Sequence, residues 1–378
     1  MEGSPVTEFR SLVDAFSELP DPRIDRTKKH ALADLLFAAL AAVIAGAESW
    51  DSVAEFAETR LDWLRKFAPF ANGAPSADTF ERVFTRLDAK AFAKCVGAWM
   101  AEACDRAGLK HIAIDGKAVR RAKQSTFSGC LHLVSAWAVE NRLILGQEAV
   151  AAKSNEITAI PKLLEALDLK GALVSLDAAG CQTAIAQQIR KRKGDYLLAV
   201  KGNQSTLEAA VHSAFERAAV ADFKGLKHDA HESVDASHGR RVERYVTVLY
   251  DPEGLPAEWR DAAAVVQVGR ERSVKDKTTS EVSYYLTSRR ASAKELGERV
   301  RRHWAVENEL HWCLDVTFRE DANRSAVGEV GPNLGVIRRL ALSLLKQLPG
   351  KATGPTKRLK AALDSTFLER ALQGNVEI

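Results

Sequence analysis

The chain has 378 residues, 46% of them apolar and 28% charged, a make-up that suits two or three folded units and excludes a disordered or fibrous protein. Its 54 Lys and Arg against 50 Asp and Glu leave a net charge of +4, a mild basic bias that neither demands nor excludes a nucleic-acid partner. Five cysteines (Cys95, Cys104, Cys130, Cys181 and Cys313) are scattered without a CxxC pair, so they read as reduced thiols rather than a disulfide framework.

Residues 1–108 read as helical, with Pro20 and Pro22 separating the first helix from the next. The run Leu35 to Ala47 is Ala-rich and shorter than the roughly 20 residues that span a bilayer, so it is neither a membrane span nor a signal peptide. Ser49 to Phe70 carries a helical apolar stripe. After the loop Asn72-Gly73-Ala74-Pro75, Ser76 is placed to cap a helix with Phe80, Val83, Phe84 and Leu87 at i, i+3, i+4 and i+7. The pair resembles a helix–turn–helix. Arg60, Arg65, Lys66, Arg82 and Arg86 suit either a phosphate backbone or an ordinary solvated face.

The pattern changes at Leu109. His111–Asp115, Cys130–Val139 and Arg142–Val150 read as three strands, Ser154–Leu169 as a helix, Ala172–Leu176 as a buried strand, Thr183–Lys193 as a helix and Asp195–Val200 as a second buried strand. Three strands in an antiparallel meander, followed by two joined through helices and therefore parallel to their neighbours, is the order of a ribonuclease-H-like mixed sheet. The fold expected is α/β and multidomain. It comprises a helical N-terminal DNA-binding domain (1–108), a five-stranded catalytic core with flanking helices (109–204 and 291–348), a β-rich insertion (205–290) and a basic, loosely ordered tail (349–378). In the insertion, a helix at Leu207–Ala219 precedes strands at Arg241–Leu249, Ala264–Val268 and Val282–Thr287; Ala293–Leu314 and Leu334–Gln347 are long helices.

Asp115 and Asp177 each end an apolar strand. If those strands are neighbours, both carboxylates project from one sheet edge, where they raise each other's pKa unless a cation neutralises them; an oxygen-only ligand set suits Mg²⁺ or Mn²⁺. The alternative is that each acid merely caps a loop. His303, Glu307, His311 and Asp315 recur every four residues and share a helix face, flanked by Trp304 and Trp312. One reading makes His303, Glu307 and His311 zinc ligands but leaves the strand-end aspartates unexplained. The other joins Glu307 to Asp115 and Asp177 around magnesium, with the histidines and Asn308 positioning DNA or the acid.

The segments Ala45-Gly-Ala-Glu-Ser-Trp50, Pro75-Ser-Ala-Asp-Thr-Phe80, Ile114-Asp-Gly-Lys117, Ser175-Leu-Asp-Ala-Ala-Gly-Cys-Gln182, Asp195-Tyr-Leu-Leu-Ala-Val-Lys-Gly-Asn-Gln204, His238-Gly-Arg240, His303-Trp-Ala-Val-Glu-Asn308, Leu310-His-Trp312 and Asp315-Val-Thr-Phe-Arg-Glu-Asp321 occur in this order nearly end to end. In them the chain resembles bacterial insertion-sequence transposases of the DDE type, in the As-one branch that includes H-repeat-associated proteins. The resemblance implies a ribonuclease-H-like core with Asp115, Asp177 and Glu307 as catalytic and metal-holding acids, and an inserted β domain before the Glu307 helix. Larger relatives carry Tyr, Arg and Lys at minus seven, minus four and plus seven from the glutamate. Val300, His303 and Leu314 stand there instead, so the Tyr and Lys functions are missing or supplied elsewhere.

The implied activity is cleavage of phosphodiester bonds at the terminal inverted repeats of the element and joining of the freed 3′-OH to target DNA. Two Mg²⁺ or Mn²⁺ ions are expected, bridged by Asp115 and held by Asp177 and Glu307. Lys117, Lys201, Asn203 and Gln204 are expected where the sheet edge meets phosphates, with turn chemistry after a strand, especially at Gly202-Asn203, as the alternative. Arg240, His303, Trp304, Asn308, His311 and Trp312 are further DNA-contact candidates. Basic clusters at 23–30, 120–123, 190–193, 240–244 and 299–302 suit a charged groove whose binding is salt-dependent. The expected partner is double-stranded DNA bound by a dimer in the bacterial cytoplasm, at the nucleoid. A domesticated DNA-binding protein and a nuclease that cuts without joining are the alternatives.

Overall fold

The computed structural model describes residues 11–107, 110–123, 130–150, 154–237, 239–275, 277–323 and 327–373. His238 and the side chains of Cys104 and the 120–123 cluster lie outside what is described.

The N-terminal part is helical as expected: α1 (Leu12–Ser17), α2 (Leu32–Ile44), α3 (Trp50–Thr59), α4 (Leu61–Leu64), α5 (Ala77–Arg86) and α6 (Ala89–Ala107). Every residue of α2 is buried, which explains the apolar run that is too short for a membrane. A capping box between Ser49 and Ser52 starts α3. Trp50, the first residue of α3, packs on Phe80 and Phe84 of α5, with centroids 6.4 and 4.8 Å apart.

The sheet begins with β1 (His111–Lys123), β2 (Cys130–Ala138) and β3 (Leu143–Ala149), an antiparallel meander. Then come α7 (Glu156–Glu165), β4 (Leu173–Leu176), α8 (Thr183–Lys191) and β5 (Asp195–Val200), with β4 parallel to both β1 and β5. The order β3-β2-β1-β4-β5 is the ribonuclease-H-like arrangement read from the sequence.

The insertion departs from a separate β unit. After α9 (Ser205–Val220), the strands β6 (His228–Ser237), β7 (Arg240–Tyr250), β8 (Ala264–Val274) and β9 (Lys277–Thr287) form a meander, and β9 pairs antiparallel with β5. One nine-stranded sheet results, in the order β3-β2-β1-β4-β5-β9-β8-β7-β6. The strand missed in the sequence, β6, has polar residues on both faces and so lacks the apolar alternation that marks a half-buried strand.

The long helix expected at 293–314 is interrupted. It runs as α10 (Ala293–His303), a π-helical turn (Val306–His311) and α11 (Trp312–Phe318). α10 lies on the insertion strands, burying Leu296 and Val300 against Val246, Val268 and Tyr285. A methyl group on Gly297 would come within 2.7 Å of Val246 Cγ2, so the helix approaches the sheet as closely as only glycine permits. Gly297→Leu is expected to lower unfolding free energy by about 1–3 kcal/mol, read from urea denaturation.

The core is closed by α12 (Val330–Gln347), which packs against α2, α6 and β3 and so joins the N-terminal helices to the sheet. The tail after Pro349, expected to be loosely ordered, forms α13 (Gly354–Leu363) and α14 (Ser365–Leu372). Two of its basic residues point inward. Lys357 donates to the carbonyls of Leu345 and Leu348, and Arg358 donates to those of Val43 and Thr317. Arg60, a phosphate candidate, instead holds this tail through Ser365 Oγ and the Ala362 carbonyl.

Candidate active site

The parallel β1–β4 ladder ends on the pair Ile114 and Leu176, so Asp115 and Asp177 are the next residues on adjacent strands. Asp115 stays within β1, opposite Ser135 of β2, and accepts from the Gly116 amide at 2.9 Å. Asp177 leaves β4 into a tight loop and accepts from the Gly180 amide at 3.1 Å. That loop is tied to the turn after β5: Asn203 Nδ2 donates to the Ala178 carbonyl at 2.7 Å and Gln204 Nε2 to that of Cys181 at 2.9 Å. Asn203 and Gln204 thus hold the turn after β5 to the Asp177 loop.

The π turn sets the third acid. It replaces the i, i+4 stripe expected for residues 303 to 315 with four different environments. His303 Nδ1 lies 2.8 Å from Ser175 Oγ, which also meets His111 Nε2 at 2.8 Å, a bridge from α10 to β4 and β1. Burial holds the His303 imidazole down at about 4 and pushes His111 well below the usual histidine value. Glu307 is exposed. His311 is buried, with Nδ1 3.5 Å from Asp115 Oδ2, and burial followed by the Arg339 charge lowers it to about 3. Asp315 turns to Lys117.

Asp115, Asp177 and Glu307 line one cavity of about 410 Å³, together with Lys201, Glu208, His212, His303 and Trp304. Burial, then the charges of Asp177, Glu156 and Glu307, raise Asp115 to about 7 against the pull of the Gly116 amide. Asp177 is also raised, chiefly by burial and then by Glu156, while the Gly180 and Ala179 amides and Lys201 oppose the shift. Among the described residues no three His, Cys, Asp or Glu side chains are already arranged as a metal cage. That holds for the zinc set His303, Glu307 and His311 as well. The donor set facing the cavity is rich in carboxylate oxygen, and Asp115 and Asp177 are pushed toward protonation, chiefly by burial. Both properties fit a hard divalent cation.

Other expected contacts are dispersed. Lys117 is buried, not at a phosphate-facing edge; its ammonium lies 2.7 Å from Asp315, 2.8 Å from Asp321 and 3.6 Å from Glu320. Its carboxylate neighbours hold it in the charged form despite burial. Trp312 is exposed and away from the residues lining the cavity, whereas Trp304 lines it and also a second cavity of about 540 Å³. That second space is bounded by Arg240, Arg244, Arg270, Arg301, Asn308 and Glu307, so it adjoins the first at the glutamate. The basic clusters are partly self-neutralised: Arg23 pairs with Asp21, Arg190 with Asp195, and Arg299 and Arg302 with Glu140.

One acid of the neighbourhood, Glu156, was not singled out in the sequence. An acid in the first turn of a helix is ordinarily explained by the helix dipole, which hid it. The only signal available was its position, in a helix leading out of the β1–β3 meander toward the strand that carries Asp177.

Residues 106–327 match the family described as Transposase DDE domain, and residues 13–100 match the region described as DDE_Tnp_1-associated. The chain is 40% identical to "Putative transposase YncI" of Escherichia coli O157:H7 over 98% of its own length and 96% of that protein's. It is 35% identical to "H repeat-associated putative transposase YhhI" of Escherichia coli (strain K12), over 97% and 99% of the two chains. A shorter relative, "Inactive transposase YbfQ" of the same strain, is 39% identical over 21% of this chain. Among the described residues no helix is long and apolar enough to cross a membrane. With Asp115 inside β1, Asp177 at the end of β4 and a helical glutamate lining one cavity in a ribonuclease-H-like sheet, the chain belongs to the DDE transposase family.

Proposed function

We propose that the protein binds the terminal inverted repeats of an insertion sequence, cuts phosphodiester bonds at their ends and joins the freed 3′-OH to target DNA. The observation that carries this reading is the shared cavity of Asp115, Asp177 and Glu307. Two divalent ions, Mg²⁺ or Mn²⁺, held by these three carboxylates would supply activation of the attacking hydroxyl and stabilisation of the leaving oxygen. The chain's own residues hold and orient the DNA. Lys201 is exposed at the cavity, where it meets a phosphate without having to leave a buried partner. Arg240, Arg244, Arg270 and Arg301 flank the approach to Glu307 and carry the phosphates of the incoming strand. Trp304, exposed between the two spaces, offers a stacking face for a base. No Ser or Tyr nucleophile is needed, and a dimer on DNA brings two ends together.

The test is cleavage and strand transfer on DNA carrying the inverted repeats that flank the gene, with Mg²⁺ and with EDTA. Cutting and joining that stop on chelation support the reading. Cutting alone makes the protein a nuclease, and binding without cutting makes it a DNA-binding regulator. A pH signature accompanies metal binding. Asp115 titrates at about 7, so one proton must leave before it can hold an ion. The Mn²⁺ affinity, measured by calorimetry, is expected to fall about tenfold for each pH unit below 7 and to level off above 8.

A further inference from the structure

Ser175 lies in β4, His111 opens the neighbouring strand β1, and both are buried. α10 packs on both strands and ends at His303, whose ring reaches Ser175. His303 lines the cavity of Asp115, Asp177 and Glu307, whereas Ser175 and His111 stand behind its wall.

Ser175 Oγ lies 2.8 Å from His111 Nε2 and 2.8 Å from His303 Nδ1, with no third partner among the described residues. A hydroxyl has one proton to give, so Ser175 donates to one imidazole and accepts an N–H from the other. Burial keeps both imidazoles neutral, and each carries a single ring proton. Two arrangements satisfy these conditions. In the first, His111 Nε2–H donates to Ser175, Ser175 donates to His303 Nδ1, and the His303 proton sits on Nε2. In the second every bond is reversed. His303 Nε2 is then a bare lone pair, and the His111 proton sits on Nδ1.

His111 Nδ1 decides between them. It is buried and has no hydrogen-bond partner among the described residues. The second arrangement strands an N–H there, while the first leaves only a lone pair, and a buried donor without an acceptor is the rarer orphan in folded proteins. The guanidinium groups of Arg299, Arg302 and Arg289 act on His111, and a lone pair suits their positive field better than an N–H.

We propose that His111 and Ser175 are positioning residues that fix His303 as an Nε2–H donor at the cavity wall, where it meets a phosphate oxygen of the DNA and is barred from ligating a metal. A metal ion needs the lone pair of a ring nitrogen, which only the reversed arrangement would offer at Nε2. The phosphate contact rests on the transposase reading above; the proton arrangement does not.

The test has two arms. Long-range ¹H–¹⁵N NMR of the full metal-free chain distinguishes a bare ring nitrogen from a protonated one, with His303→Gln and His111→Gln assigning the two rings. Both histidines are expected to carry the proton on Nε2. Protons on Nδ1 in both, or two exchanging arrangements, would overturn the proposal. In the second arm, affinity for a duplex bearing the flanking inverted repeats is measured with Ca²⁺ in place of Mg²⁺. It is expected to fall about tenfold in His303→Leu and to recover in part in His303→Gln, whose amide restores a donor. Wild-type affinity in His303→Leu would remove the phosphate contact. A wild-type chain that binds no such duplex would remove the transposase reading and that contact together, and the NMR result separates this failure from a wrong proton arrangement.

Discussion

Asp177→Asn is expected to reduce DNA cleavage at least about 10³-fold while leaving the fold intact, as circular dichroism would check. The carboxylate has no ion-pair partner among the described residues and takes its hydrogen bonds from backbone amides, which an amide oxygen also accepts. Its loss therefore removes a ligand without opening a cavity. Asp115→Asn is expected to be as inactive, with a second signature. In the folded, metal-free chain Asp115 holds its proton up to about pH 7, whereas unfolding returns it to the ordinary carboxylate value. The folded state thus binds more protons between about pH 4 and 7, and this group's contribution to stability falls as pH rises through that window. Asn abolishes the slope. At pH 8 the metal-free variant is expected to be more stable than the wild type by on the order of 2–4 kcal/mol, read by urea denaturation. Equal stability at pH 8 would refute the crowding of charge described for this cavity.

The largest expected loss of stability comes from a pair behind the active strand. Arg339 and Glu320 meet at 2.6 Å with side chains 2% and 1% exposed. Arg339 Nε also donates to Ser135 Oγ, and Ser135 is the partner of Asp115 across β1 and β2. Glu320 is held below its usual pKa because Arg339 and Lys117 outweigh its burial, so it is ionised at all working pH values. Glu320→Ala leaves Arg339 with no acid beside it among the described residues and Lys117 with one partner fewer. The expected cost is about 3–5 kcal/mol, seen as a Tm drop of several degrees or more. Exchange of both Arg339 and Glu320 for apolar residues is expected to cost much less, because the penalty lies in the stranded charge.

Much of this architecture was legible in the sequence because the core strands are apolar runs of the right length. Ala172–Leu176 and Asp195–Val200 were read within a residue of β4 and β5, and their spacing through α8 forced the parallel order. Asp177 followed as an acid at the end of a buried strand, whereas Asp115, expected to end its strand, lies inside β1, which runs on to Lys123. What escaped detection has physical causes. The π turn is invisible to a pattern counted in fours, so the stripe from His303 to Asp315 looked continuous although its members face Ser175, the cavity, Asp115 and Lys117. Lys117, two residues after Asp115, looked like a phosphate ligand because its three carboxylate partners lie some two hundred residues away. The tail looked loose because its lysine and arginine count suggested solvent, while Lys357 and Arg358 are spent on buried carbonyls.

The pairing of β9 with β5 makes the inserted meander a structural continuation of the sheet that carries Asp115 and Asp177. It cannot swing as a hinged module, and DNA bound along its arginines, as proposed, would keep a fixed distance to the acids. Nor can it be trimmed away cheaply. Excising β6 to β9 would turn β5 into a bare sheet edge of buried, apolar sequence, which invites pairing between molecules. A shortened gene product of this kind is thus expected to aggregate rather than to survive as a minimal enzyme.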